Sequence, residues 1–298
     1  MNFSQLESFV AIADTGSFTE AAYTIDLTQS AVSHALSALE SELGVTLLER
    51  NHTGVVALTN VGQKILPHVR VLLAEAETIQ QEAGAARGLA RGKLRLGSIP
   101  PVSPRLLAGV LTHFQRQYPD IDVVLFEGTL QEVQEWLGTS MIDVGFVHHP
   151  AKEMEYTPLA TDEMQVFVSR RHRLHTRTSV SAGELWEERL ILPRTGCEMP
   201  EIFEQPRGKH GSSIRYQASS GATILAMVHE GLGITILPRG MFPDKLEGIT
   251  ALPLDPPRQI QIGLAVRSTD SASPAARLFV QAAVAWVQEQ APVLYSAR

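Results

Sequence analysis

In the stretch LTQSAVSHALSALE, residues 27–40, apolar side chains fall at Leu27, Ala31, Val32, Ala35, Leu36 and Leu39. That spacing fits one face of a helix. The opposite face carries Thr28, Gln29, Ser30, Ser33, His34 and Ser37, where most solvent-facing helices carry Lys and Glu. Thr28 is placed to cap this helix and Gly44 to end it. Two helices are predicted before it. One runs from about Ser4 to Asp14, with Leu6, Phe9, Val10 and Ala13 inward and Gly16 as its stop. The next is capped by Ser17 or Thr19, with Ala21, Ala22 and Ile25 inward. After it, VTLLERNHTGVVALT places Val55 and Leu58 around Gly54, which predicts a two-stranded wing.

From Thr59 to about Gly88, Ile65, Val69, Leu72, Ala76, Ile79, Ala83 and Ala86 step by fours and threes. This seam predicts a long helix that pairs with a second copy of itself. Pro67 within it predicts a local kink. GLARGKL, Gly88 to Leu94, reads as a hinge. Beyond it the pattern alternates strand and helix: KLRLGS, PRLLAGVLTHFQRQ, DIDVVLFEG, LQEVQEWLG, IDVGFVHH, MQVFVS, a helix near Ala182 to Trp186, RLILP, SIRYQ, ATILAMVHE, GITILP, a strand near Ile249 to Leu252, QIQIGLAVR and a last helix over Ser273 to Gln290. Such repetition predicts a mainly parallel sheet covered by helices. Strands on either side of residue 162 suit two lobes with a ligand cleft between them.

The chain has 298 residues, a net charge of −7 and one cysteine, Cys197. The length suits about two domains. The charge offers no global attraction to nucleic acid or an anionic membrane, so any such binding is local. A lone cysteine excludes an intrachain disulfide and a thiolate zinc cluster. No basic leader and no apolar run near ~18 residues are present, so a cytoplasmic protein with no membrane span is expected. GxSxG, HExxH and glycine-rich phosphate motifs are absent, which argues against an enzyme. No cofactor is expected.

Two short helices joined by a tight turn, the second opening with Gln, Ser and His, form a helix-turn-helix pattern. Gln29 can contact adenine bidentately, and serine is an adaptable donor or acceptor. Followed by a wing, a pairing helix and a ligand-type domain, FTEAAYTIDLTQSAVSHALSALESELGVTLLER, LTNVGQKIL, KLRLGS, IDVGFV and GLGITILP together resemble the LysR-type transcriptional regulators. The resemblance covers essentially the whole chain and is most specific over residues 1–62. It implies an α/β chain with an N-terminal winged helix-turn-helix (1–58), a dimerising linker helix (59–88) and a two-lobed periplasmic-binding-protein-like effector domain (89–298). Lobe I would take about 92–162 and 268–298, and lobe II about 163–267. It implies a homodimer or homotetramer on a double-stranded, dyad-symmetric operator, a small-molecule effector, and RNA polymerase as a further partner. Thr28, Gln29, Ser30, Ser33, His34 and Ser37 would face DNA, as would Arg50 and His52 of the wing.

Two departures stand out. Position 34, often Arg in the family, is His, and the wing RNHTG is poor in basic residues. Residues 1–92 hold five basic and ten acidic side chains, so this module carries −5 of the chain's −7. A DNA-binding module usually shows a basic footprint. Few phosphate contacts per subunit, a shallow salt dependence and a need for oligomerisation are therefore expected. Histidine gains charge as pH falls toward ~6, so operator binding is expected to strengthen there through His34.

The resemblance places the effector between the lobes, lined by Ser98, Pro100, Pro101 and Ser103; by Gly128, Thr129 and Leu130; by Val147 and His148; by Arg194 and Cys197; and by Ser219 and Ser220. Ser103, Ser219 and Ser220 precede predicted helices, whose N-termini favour an anion. Arg194 adds a positive charge. A small organic anion is the expected effector. The same serines serve equally as N-caps, and Arg194 as a solvated side chain. His148 and His149 are adjacent on a strand and point to opposite faces, so no metal site is expected. The basic run RRHRLHTR, Arg170 to Arg177, reads as a solvated loop. The alternative is a peroxide-responsive switch at Cys197. Peroxide-sensing members carry a Thr, a His and an Asp where this chain has Pro101, Gly196 and Pro200, and the resolving cysteine is absent. Nothing there stabilises a thiolate except Arg194, close in sequence.

Overall fold

The computed structural model describes residues 1–50, 56–100, 102, 104–185, 187–194, 213–243 and 245–294. The wing tip with His52, and Pro101, Ser103 and Cys197, lie outside the described residues, as does the side chain of Arg50. The chain divides into two compact units, Met1–Leu89 with Gly138–Met141, and Ala90–Leu137 with Ile142–Arg298.

In the first unit each helix is fixed by a local cap. Asn2 and Gln5 form a reciprocal capping box at the start of α1 (Phe3–Thr15), and Gly16 closes it at φ 65°. Ser17 accepts from the Glu20 N–H to start α2 (Phe18–Thr24). Asp26, at φ 54°, turns the chain into α3 (Gln29–Leu43), which Thr28 caps and Gly44 ends in the left-handed region. β1 (Leu48–Arg50) and β2 (Val56–Leu58) pair antiparallel. The Glu40 carboxylate ties α3 to β1 by accepting from Leu47 N (2.7 Å) and Leu48 N (3.2 Å). α4 (Asn60–Ala85) continues as one helix through Pro67. A Cβ on Gly62 would lie 2.1 Å from the Leu47 carbonyl oxygen, so glycine lets α4 seat against the base of the wing. Leu6, Phe9, Ile12, Val32, Leu36, Leu39, Leu47, Leu66 and Val69 form the core.

The second unit is built on one eight-stranded sheet, ordered β4-β3-β5-β12-β6-β11-β7 with β10 also on β6. One half holds β3 (Gly92–Ser98), α5 (Pro104–Gln117), β4 (Ile121–Glu127), α6 (Leu130–Gly138), β5 (Val144–Val147) and α9 (Pro274–Leu294). Its core centres on Phe114, Phe146 and Phe279, which meet edge to face. The other half holds β7 (Val180–Ser181), α7 (Ala182–Leu185), β8 (Arg189–Pro193), β9 (Ser213–Ala218), α8 (Gly221–His229), β10 (Thr235–Pro238), a 3₁₀ turn (Arg239–Met241) and β11 (Ile249–Asp255). It has separate hydrophobic clusters around Val166, Ile236 and Phe167. β6 (Glu155–Ser169) and β12 (Gln259–Val266) run through both halves.

The sheet is mixed, which corrects the mainly parallel expectation. β3 is parallel to β4 and β5, but β6 is antiparallel to β12, β10 and β11. The cause is β6, whose 15 residues extend well before the apolar run MQVFVS. Its first half is masked in sequence by Pro158, which cannot donate to a ladder. The structure accommodates it opposite Gly263, where the β12 register shifts.

Candidate DNA-recognition helix and effector site

Helix α3 presents two faces. Val32, Leu36 and Leu39 are buried. Thr28, Gln29, Ser30, His34 and Ser37 are exposed, and Ser33 is half-buried. The Thr28 hydroxyl accepts from the Ala31 N–H (3.2 Å) and lies 3.1 Å from the Ser30 hydroxyl, so this pair is pre-ordered at the helix start. Leu27 and Ala31 do not join the buried face as their spacing suggests; both are exposed. The buried face of α3 begins at Val32. Tyr23, near the end of α2, is 91% exposed. Sequence reasoning missed this aromatic. Its signal is its place outside the inward set Ala21, Ala22 and Ile25.

Few cations are available nearby. Arg70 of α4 pairs with Asp14 of α1, so one of the unit's basic side chains is already neutralised. Lys64, Arg87 and Arg91 are exposed. On α4, Leu72 and Ile79 are 48% and 69% exposed, although both belong to the apolar seam.

The residues expected to hold an effector fall into two groups. At the carboxyl ends of β3 and β4, Gly128 N–H donates to the Ser98 carbonyl (3.0 Å). Ser98 is buried and Pro100 exposed. Thr129 and Glu132 form a capping box on α6: Thr129 N–H donates to Glu132 Oε2 (2.7 Å), and Glu132 N–H to Thr129 Oγ1 (3.1 Å). These bonds, the backbone one first, hold the Glu132 carboxyl below its ordinary pKa. Leu130 packs in the core, and Val147 and His148 are buried at the end of β5. His149 is exposed, its ring 4.9 Å from that of His148 and nearly perpendicular. Among the described residues no three His, Cys, Asp or Glu side chains converge on a metal position.

The second group lies at the carboxyl ends of β8 and β9. Arg194 N–H donates to the Ala218 carbonyl (3.0 Å), while its side chain is exposed. Ser219 is exposed, and Ser220 caps α8 by accepting from Thr223 N (3.5 Å). The basic run 170–177 is less free than a solvated loop. Leu174 is buried, His172 meets Glu188 at 3.1 Å, Arg173 meets Glu188 at 2.7 Å and Glu187 at 3.2 Å, and Arg177 meets Glu184 at 3.4 Å. Acidic residues of α7 and the turn after it neutralise the run, which weakens any reading of it as a polyanion site.

The helix-turn-helix family of bacterial regulatory proteins of the lysR type matches residues 3–63, and the LysR substrate binding domain family matches residues 87–288. The uncharacterized HTH-type transcriptional regulator YvbU of Bacillus subtilis (strain 168) is 38% identical over 291 residues, 95% of this chain and 98% of its own. A full-length OxyR variant from Pseudomonas aeruginosa has the same fold, with a TM-score of 0.74 at 23% identity over 97% of this chain and 95% of its own. So does CbnR complexed with its target DNA, with a TM-score of 0.66 at 24% identity over 96% of this chain and all of its own. Paired family matches over both units show that the chain belongs to the LysR-type transcriptional regulators, DNA-binding proteins with an effector-binding domain.

Proposed function

We propose that this protein is a non-enzymatic cytoplasmic regulator whose residues 1–58 bind a dyad-symmetric operator. The observation that carries this is α3: one face is locked in the core while Thr28, Gln29, Ser30 and His34 stand in solvent. Gln29 reads adenine, the serines and Ser37 approach bases or phosphate, and His34, Arg50 and His52 add contacts along the groove and wing. The exposed Leu72 and Ile79 support pairing of α4 (59–88) between two copies, and dimers assemble into a tetramer. An organic anion bound between the two halves of residues 89–298 changes operator engagement because it binds one arrangement more tightly. Polar groups at two sets of strand ends, Ser98 to Thr129 and Arg194 to Ser220, support that location. RNA polymerase would be the downstream partner.

The test begins with selection of bound sequences from a random duplex pool. Affinity for the selected duplex is then measured across salt. A dyad-symmetric consensus and a shallow log–log slope per subunit are expected. A pool without enrichment would remove the operator reading, and a slope as steep as a strongly basic repressor's would remove the few-phosphate account. A thermal-shift screen of organic acids then locates the effector, since a true ligand raises stability with the logarithm of its concentration.

A further inference from the structure

Strand β6 changes partners halfway along. Glu155–Glu163 pair with β12, whereas Met164–Ser169 pair with β10 and β11. Asp162 stands just before the change, opposite Ile260, and is only 6% exposed. A carboxylate buried this far requires donors. It has them: Gly240 N–H reaches Oδ2 at 2.9 Å and Oδ1 at 3.2 Å, and Glu163 N–H reaches Oδ1 at 2.8 Å. Gly240 lies in the middle of the 3₁₀ turn Arg239–Met241. A Cβ there would lie 2.7 Å from Oδ2, so Asp162 and Gly240 are a matched pair. Burial raises the Asp162 pKa, and the Gly240 and Glu163 amides and then Arg239 work against that rise. The same turn lies against α5, a helix of the other half of the sheet unit. One short turn therefore touches both the crossover strand and the opposite core.

We infer that Asp162 is a positioning residue at the crossover between the two halves: by holding Gly240 it keeps the turn Arg239–Met241 against α5 and so sets the angle between the two halves. The consequence for effector response rests on the two-lobed reading above; the geometry does not. Asp162 needs no contact with the effector. It acts through the turn, and the turn acts on the helix that follows the expected effector loop.

Hydrogen–deuterium exchange on the full-length protein tests this at fixed pH. In Asp162→Ala the Gly240 amide loses a charged acceptor, so exchange over 239–243 rises about tenfold or more. Exchange over 104–117 rises with it, while 94–98 in β3 stays as in the wild type. Asp162→Asn keeps a carbonyl acceptor and restores most of the protection in both peptides. Should Asp162→Ala fail to melt cooperatively, Gly240→Ala is used instead, since it displaces the carboxylate and loosens the same two peptides. Unchanged exchange over 104–117 in the presence of faster exchange over 239–243 overturns the inference, because the bond would then hold only its own turn. No change in either peptide overturns it as well. Affinity for the selected duplex is read in parallel. If the peptides loosen and affinity stays the same, the positioning assignment stands and the coupling of the halves to the operator falls.

Discussion

Helix α3 and the strand ends proposed to hold an effector use the same kinds of side chain in opposite ways. On α3, the residues between the Thr28 cap and Gly44 leave Gln29, His34 and Ser37 projecting into water. At the ends of β3, β4 and β9, Thr129 and Ser220 are engaged in capping, and Ser98 is buried. On α3, Gln29, His34 and Ser37 offer exposed side chains without breaking a cap, whereas at the strand ends only Arg194 and Ser219 do so and the other polar side chains are engaged or buried. Exposed polar groups that stabilise nothing point to a partner; polar groups that complete a helix do not by themselves.

The comparison can be broken most forcefully on the two faces of α3. Leu39→Ala removes a fully buried side chain and should cost about 2–5 kcal/mol, lowering the melting temperature of the winged unit. Gln29→Ala should leave melting unchanged while weakening the selected operator by about ten- to a hundredfold. If Gln29→Ala melts early, or binds as tightly as wild type, the face is structural. On the effector side, Thr129→Val should cost about 1 kcal/mol by removing a cap, visible in thermal melts without any ligand. Unaltered stability would mean that the hydroxyl is available for binding.

Two pH responses of opposite sign refine the contrast. Glu132 has a lowered pKa, first through Thr129 N–H and then the Thr129 hydroxyl. Its stabilisation is complete above the ordinary carboxylate range and is lost as pH falls through the lowered value. Glu132→Gln should therefore be destabilising at pH 7, with the difference from wild type shrinking as pH falls through the carboxylate range. Asp162 has a raised pKa because burial opposes its charge. Its wild-type stabilisation is greatest below the ordinary carboxylate range and declines as pH rises through the raised value. The melting temperature of Asp162→Asn relative to wild type should thus increase from pH 4 to pH 7, and a flat difference would contradict the burial argument. The smallest effect is at the operator, where His34→Ala should weaken binding to the selected duplex a few-fold.

Much of the DNA-binding unit was legible because its signals are local. Thr28, Gly44, Ser17 and Gly16 are caps whose partners lie within four residues. The sheet unit was less so. The first half of β6 carries Pro158 and acidic residues, and only pairing with β12, about a hundred positions away, makes it a strand. Asp162 gave no sign in sequence, since its bonding partner Gly240 is 78 residues distant. Tyr23 falls outside the inward set of α2, a local signal of exposure that the sequence reading left unused. The parallel-sheet expectation failed for the same reason: alternation of strands and helices fixes order along the chain, not strand direction.

The contact between Arg70 and Asp14, with Gly62 pressed on Leu47, joins the first three turns of α4 rigidly to the recognition unit. The remaining turns, ending at Ala85, form a lever. The 15 residues beyond Arg70 span about 22 Å, so a tilt of roughly 10° at the seat carries the far end about 4 Å. Read in reverse, a displacement of several ångströms at the far end becomes a small rotation of α3 with little sliding. Under the proposed function, such gearing would tune how the helix is aimed rather than pry it from its site.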